Sequence, residues 1–128
     1  MGMVAGDQHQ RSRDLFLQPA GLWLWCLPGC AAIGASILEG SHRLSMTAVG
    51  IVWTIATLWI GFACAWNARR SGRLHCLVDG TLLPALAVVG LLKVVGLLVM
   101  SWNIYWAVFG AVLVAGFISE ILGKRYYI

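Results

Sequence analysis

Thiol and imidazole side chains are the groups in this sequence best suited to chemistry. Cys26 and Cys30 are four residues apart, so on a helix they lie one turn apart on the same face. Cys64 lies near the end of a second apolar run, and His75 and Cys76 are neighbours in a short polar stretch. Thiolate and imidazole suit soft ions such as Cu(I), Zn(II) and Hg(II). These five residues together are a candidate ladder for a soft metal ion.

The same cysteines have a simpler interpretation as packing residues. A free cysteine packs like a small apolar side chain between helices. The sequence has no C-x-x-C pair of the kind found at zinc sites, and its spacing does not indicate a secreted disulfide framework. Packing and metal binding therefore both stay open at this point.

Lys93 is the second candidate, because it interrupts a long apolar run. A lysine near the middle of a membrane span costs at least about 2.5 kcal/mol on insertion scales. One interpretation is a proton relay, an anion site or a charge that docks a partner subunit. The other is a lysine whose flexible stem reaches the outer interface near Glu39.

The polar stretch from Asn67 to Gly80, here called the hinge, contains Arg69, Arg70 and Arg73. Arginines beside anionic headgroups can bind lipid phosphates or an acidic loop of a partner. The alternative is that they only hold this loop on one side of the membrane. Glu120 is expected to be an interfacial carboxylate near these arginines or Lys124.

Enzymatic activity and nucleic-acid binding find no support in the sequence. The chain has no G-x-S-x-G, no H-E-x-x-H and no phosphate-binding loop. Its basic residues are few and scattered, without an aromatic-interleaved basic face. A non-enzymatic protein that does not bind nucleic acid is the prediction.

Composition indicates lipid as the solvent that positions these residues. The chain has 128 residues, of which 60% are hydrophobic and 11% charged, and its mean hydropathy is +0.82. So few charged side chains cannot cover a water-soluble globule of this size. The partner that the composition implies is the lipid bilayer.

The order of apolar runs predicts an all-α integral membrane four-helix bundle. Each run has about the 17–25 residues that a helix needs to cross the hydrocarbon core. Asp79 or Thr81 is expected to cap the third span, with Pro84 in its first turn. A polar tail of residues 1–19 precedes a single membrane domain of residues 20–128, with spans at about 20–38, 46–66, 81–100 and 104–122 and the hinge at 67–80.

Lys and Arg residues predict the orientation, because they concentrate on the cytoplasmic side of membrane proteins. Arg43 alone falls on the side opposite the termini. Both termini and the hinge are therefore predicted to be cytoplasmic, in the inner (plasma) membrane. The residues on the predicted cytoplasmic side are Arg11, Arg13, Arg69, Arg70, Arg73, Lys124 and Arg125.

Small residues at helical spacing predict close helix contacts. Ala107, Ala111 and Ala115 form such a stripe on the fourth span, and close backbone approach is what drives helix association in lipid. This face could receive a neighbouring helix, a partner subunit or a second copy. The favoured function is a small accessory or structural subunit of a larger membrane complex. The alternative is a carrier or binder of a soft metal ion or small ion.

The hinge also resembles a group of uncharacterised small bacterial multi-helix membrane proteins. The resemblance rests on an Asn-x-Arg-Arg start at Asn67 and a (Cys/Ser)-Gly-Arg-x-His-Cys core that ends at Cys76. A Gly-Lys-Arg-Tyr ending from Gly123 is similar as well. Ser71 stands where the group has cysteine, which removes one thiol from a shared metal site. The resemblance implies a multi-helix membrane architecture and no particular activity.

Overall fold

The protein is helical over nearly all the residues that the structure describes. The computed structural model describes residues 5–123, with side chains at residues 8, 9 and 11–123. No strand occurs between residues 5 and 123. The α-helices are Ala5–Arg13 (α1), Leu27–Gly40 (α2), Met46–Ser71 (α3), Leu74–Val94 (α4) and Trp102–Leu122 (α5).

A π-helical turn, Leu22–Cys26, leads directly into α2. The Leu27 amide donates its hydrogen bond five residues back, to the Leu22 carbonyl. Pro28 explains the wider turn, because it has no N–H and its ring crowds the carbonyl four residues earlier. Turn and helix together make one continuous apolar segment, Leu22–Gly40.

The helices bury small and polar residues and expose large apolar ones. On α3 the buried positions include Gly50, Thr57 and Gly61, whereas Ile55 and Phe62 face outward. A water-soluble bundle has the reverse pattern, because large apolar side chains leave water on folding. Four helices are long and apolar enough to cross a membrane. The all-α prediction is confirmed, and so is the number of helices with the length and composition of a span.

The centre of the fold is the hairpin of α3 and α4. Gly72 joins the two helices in the left-handed conformation, with φ of 71°, and its amide bonds to the Ala68 carbonyl at 2.8 Å. α2 packs against α3, and α5 packs against α4. α5 also reaches α3, where the Tyr105 hydroxyl donates to Thr57 Oγ1 at 3.0 Å. α2 and α5 thus flank the central hairpin.

The predicted hinge and third span need correction. α4 begins at Leu74, so the link after α3 is only Gly72 and Arg73 rather than residues 67–80. Pro84 consequently lies inside α4 and not in its first turn, and neither Asp79 nor Thr81 caps the helix. The polar residues of this stretch can stay helical because they find buried partners, which hydropathy does not reveal.

The C-terminal end of α4 also differs from the prediction. The helix ends at Val94, where Gly96 turns the chain with φ of 81°, rather than near residue 100. Lys93 therefore lies in the last turn of α4 and not near its middle. Its Nζ is 5.0 Å from the ring centroid of Trp102 at the start of α5, which is cation–π geometry.

The N-terminal segment is more ordered than a polar tail. α1 is followed by Asp14, which is buried, and by a 3-10 turn, Leu15–Leu17. The segment is held because Asp14 and Leu15 find polar partners on the central hairpin. Lys124 and Arg125, which contribute to the predicted charge asymmetry, lie outside the described residues, as does the rest of the Gly-Lys-Arg-Tyr ending after Gly123.

Candidate functional site

A buried polar cluster lies where α3 ends and α4 begins, and Arg73 is at its centre. The Arg73 side chain is only 3% exposed. Its Nη1 lies 2.8 Å from Asp14 Oδ2, and its Nε donates to Glu120 Oε1 at 3.0 Å. Burial by itself lowers the pKa of Arg73, but Glu120 and Asp14 outweigh it, so the pKa is raised and the side chain stays charged. Three distant parts of the chain thus share one cation.

His75 continues the cluster into α4. Its Nδ1 lies 2.6 Å from Glu120 Oε1, and its Nε2 lies 3.3 Å from the sulfur of Cys76. The ring stacks on Phe117 of α5, with 4.6 Å between the ring centroids. His75 therefore joins the first turn of α4 to the last turns of α5.

Asn67, near the end of α3, joins the cluster to the N-terminal segment. Its side-chain carbonyl accepts from the Leu15 amide at 2.8 Å. Its amide nitrogen lies within hydrogen-bond distance of two acceptors, Asp14 Oδ1 at 2.8 Å and Cys76 Sγ at 3.3 Å. This buried amide is therefore satisfied by groups from both sides of the hairpin link.

Cys76, His75 and Glu120 form a hydrogen-bonded chain of thiol, imidazole and carboxylate. The same arrangement activates the nucleophile in enzymes that use a cysteine. A nucleophile must also meet its substrate. Cys76 is 0% exposed, and it does not line the cavity beside His75. The geometry thus provides the hydrogen bonds of such a site without access, and we assign no nucleophilic role to Cys76.

The five residues of the predicted metal ladder separate into two groups. Cys26 and Cys30 are exposed on the outer surface of the helices, whereas Cys64 and Cys76 are buried between α3 and α4. Cys64 accepts a hydrogen bond from the Trp25 indole at 3.2 Å. Within residues 5–123, no three His, Cys, Asp or Glu side chains are placed to share an ion. The structure does not bring the five residues together as one ladder, because the first two thiols are exposed whereas the other three side chains are buried.

The three arginines of the hinge are also divided. Arg73 was predicted to contact lipid or a partner, but its ion pairs lie within the chain. Arg69 and Arg70 are exposed, and Arg70 Nε donates to the Arg13 carbonyl at 3.0 Å. The predicted contact residues that remain on the surface are Arg69, Arg70, Ala107, Ala111 and Ala115.

An apolar cavity adjoins the polar cluster between α2 and α5. Its volume is about 290 Å³. One end has three polar side chains, Cys64, His75 and Asp79. Asp79 Oδ1 is buried and has no hydrogen-bond partner in the described part of the chain. Aliphatic side chains also line the cavity. So do five aromatic residues: Phe16, Trp25, Trp53, Phe109 and Phe117.

Glu120 was expected near the hinge arginines, and its ion pair with Arg73 confirms this position. The acidic residues Asp14 and Asp79 were not identified as site residues from the sequence. Their rarity was an available signal, because the whole chain has only five Asp and Glu. A carboxylate in an apolar chain is costly unless it has a partner or a role. Asn67 had no comparable signal, since an amide at a helix end usually serves as a cap.

Comparison with known proteins gives no relative from which to transfer a function. No family model, no curated protein and no solved structure matches this chain.

Proposed function

We propose that this chain is a non-enzymatic integral membrane protein that acts as an accessory subunit of a larger membrane complex. Its four apolar helices cross the inner (plasma) membrane, with both termini and the Gly72–Arg73 link in the cytoplasm. The excess of Lys and Arg on that side supports the orientation. The resemblance to small bacterial membrane proteins agrees with this architecture and remains a prediction.

The observation that carries the proposal is the exposed small-residue stripe of α5. Ala107, Ala111 and Ala115 are all exposed, although small residues in the central hairpin are buried at helix contacts. α5 is also the least covered candidate span: 11% of the residues in its apolar stretch are buried, compared with 50% for α3. Small residues favour close backbone approach, which lipid chains do not require. The stripe therefore fits a helix of another subunit.

The alternative of a soft-metal carrier has less support. It needs thiols that pass an ion from one to the next, and the structure separates Cys26 and Cys30 from Cys64 and Cys76. A carrier would also work alone in liposomes, which an accessory subunit would not.

The test is purification in mild detergent followed by mass spectrometry of all retained chains. We expect the wild-type protein to retain a larger membrane protein. Ala111→Leu should reduce recovery of this larger protein about tenfold or more, because a leucine side chain prevents close approach of the two helices. A tenfold loss of affinity corresponds to a loss of only about 1.4 kcal/mol in binding free energy. Ala85→Leu is the matched control, since Ala85 is an exposed alanine on α4, a different helix from the stripe. Recovery of the wild type only as a lone chain or homo-oligomer would contradict the proposal.

A further inference from the structure

The cavity between α2 and α5 contains a carboxylate that the polar cluster does not use. Asp79 is 1% exposed, and its Oδ1 has no hydrogen-bond partner within residues 5–123. A buried carboxylate oxygen without a donor is costly. Gly116 of α5 lies directly opposite, and a Cβ there would come within 2.6 Å of Asp79 Oδ1. The missing side chain at Gly116 leaves room for this carboxylate at the cavity wall.

The charges around Asp79 leave it without a cation of its own. The guanidinium of Arg73 is directed at Asp14 and Glu120. His75 is likewise directed at Glu120 through Nδ1 and at Cys76 through Nε2. Including Asp79, the cluster of Asp14, Arg73, His75 and Glu120 has three carboxylates against one arginine and one histidine among residues 5–123, while Arg69 and Arg70 at this end are exposed. Burial and neighbouring carboxylates disfavour a bare charge on Asp79, so this carboxyl is stable only with a proton or with a cation beside it.

Lys93 does not supply that cation, although it is on the same helix. It lies fourteen residues further along α4, which is about 21 Å at 1.5 Å per residue. Its ammonium group is at the Trp102 ring near the opposite end of the bundle. Within residues 5–123, no cation therefore pairs with Asp79.

The cavity walls suit the body of an organic cation. The indole N–H of Trp25 is used by Cys64, and that of Trp53 is used by Ser36. These two side chains therefore offer rings but no free donor to a ligand or to Asp79. Trp53 and Phe109 pack edge to face, with 5.3 Å between their ring centroids. Aromatic rings attract cations as well as apolar groups.

We infer that this cavity binds a small lipophilic ammonium ion. The ammonium N–H groups donate to Asp79, and the apolar part lies against the aromatic walls. The volume of about 290 Å³ is at the lower end of the range for ligand cavities, which limits the ligand to a small molecule. This inference does not depend on the proposed association with other subunits, because it uses the opposite side of α5 from the exposed stripe.

The test is isothermal titration calorimetry of the full chain in lipid nanodiscs, with empty nanodiscs as the blank for partition into lipid. The probe is 2-phenylethylammonium, and 2-phenylethanol is the neutral analogue of the same shape. We expect saturable binding of the ammonium ion and at least about tenfold weaker binding of the alcohol, since a hydrogen bond between charged groups is about twice as strong as a neutral one.

Asp79→Asn should weaken binding of the ammonium ion about 10- to 100-fold, because it removes the charge-assisted hydrogen bond and keeps the side-chain shape. It should leave the weak binding of the alcohol unchanged. Glu39→Gln is the matched control, since Glu39 is a partly exposed carboxylate at the far end of α2 and should leave both affinities unchanged.

Gly116→Ala gives a second route if Asp79→Asn does not fold. Its added methyl group should displace the Asp79 carboxylate and weaken ammonium binding with the carboxylate still present. Three results would overturn the inference: no saturable binding to the wild type, equal affinity for the ammonium ion and the alcohol, or an Asp79→Asn variant that binds the ammonium ion as tightly as the wild type.

Discussion

Arg73 is the side chain on which the buried polar cluster depends most. It pairs with Asp14, which is 59 residues earlier in the chain, and with Glu120, which is 47 residues later. Burying such charges is costly, and in return the attraction is little screened by solvent. The arrangement fixes the N-terminal segment and the end of α5 against the same hairpin link.

Replacing Arg73 should therefore destabilise the fold strongly. Arg73→Ala removes the guanidinium that Asp14 and Glu120 share in a buried site, and loss of one partner from a buried pair costs about 3–5 kcal/mol. The free energy of unfolding can be measured by SDS titration in mixed micelles, followed by circular dichroism. Arg69→Ala is the matched control, because Arg69 is exposed and should change the stability little. Equal stability of the two variants would refute this role for Arg73.

The α3–α4 hairpin depends on glycines that let the two backbones approach. A Cβ at Gly80 would lie 2.6 Å from the Ala65 nitrogen, and one at Gly61 would lie 2.6 Å from Cδ of Pro84. The Pro84 ring therefore fits into a notch on α3. This explains how a proline inside α4 is accommodated, since its ring meets a glycine rather than a side chain.

Gly80→Ala should separate the two helices, because the added methyl group would meet backbone atoms that cannot rotate away. We expect a loss of about 1–3 kcal/mol, as for other overpacked interiors. Gly110→Ala on α5 is the control, since no atom lies within 4 Å of a Cβ at that position. Thermal unfolding of both variants in detergent would test the difference. A Gly80→Ala variant as stable as Gly110→Ala would show that the helices are not in close contact there.

Residues 5–123 contain four candidate spans, an even number, so the two ends of this part of the chain lie on the same side if all four cross. The Leu15 amide in the 3-10 turn after α1 donates to the Asn67 side chain near the end of α3, which places the N-terminal segment beside the Gly72–Arg73 link. The connections on the opposite side follow α2 and α4.

Cysteine labelling in intact cells should reveal this topology. In a chain whose four native cysteines are replaced by serine, Ser41→Cys and Ser101→Cys should react with a membrane-impermeant maleimide, because both serines are exposed in connections that the predicted orientation places outside the cell. Ser12→Cys, exposed at the end of α1, should react only after permeabilisation. The opposite labelling pattern would invert the predicted orientation.

The sequence alone determined the all-α class and the four apolar spans. The reason is that each segment must satisfy the lipid environment by itself. A run of about twenty apolar residues is sufficient for a helix to span the hydrocarbon core, whatever the other segments do. The helix bounds were less predictable where polar residues occur. Residues 74–80 look like a loop by hydropathy, yet they are the first turns of α4, because His75 and Asp79 are buried against other helices.

Only the tertiary structure decided which polar residues meet. Asp14, Arg73 and Glu120 are far apart in the chain, and no spacing rule relates them. In the tertiary structure Cys26 and Cys30 are also exposed, and Asp79 Oδ1 has no hydrogen-bond donor among the described residues. These outcomes depend on how the helices rotate and pack, and in lipid that is decided by contacts between helices rather than by the hydropathy of any one of them.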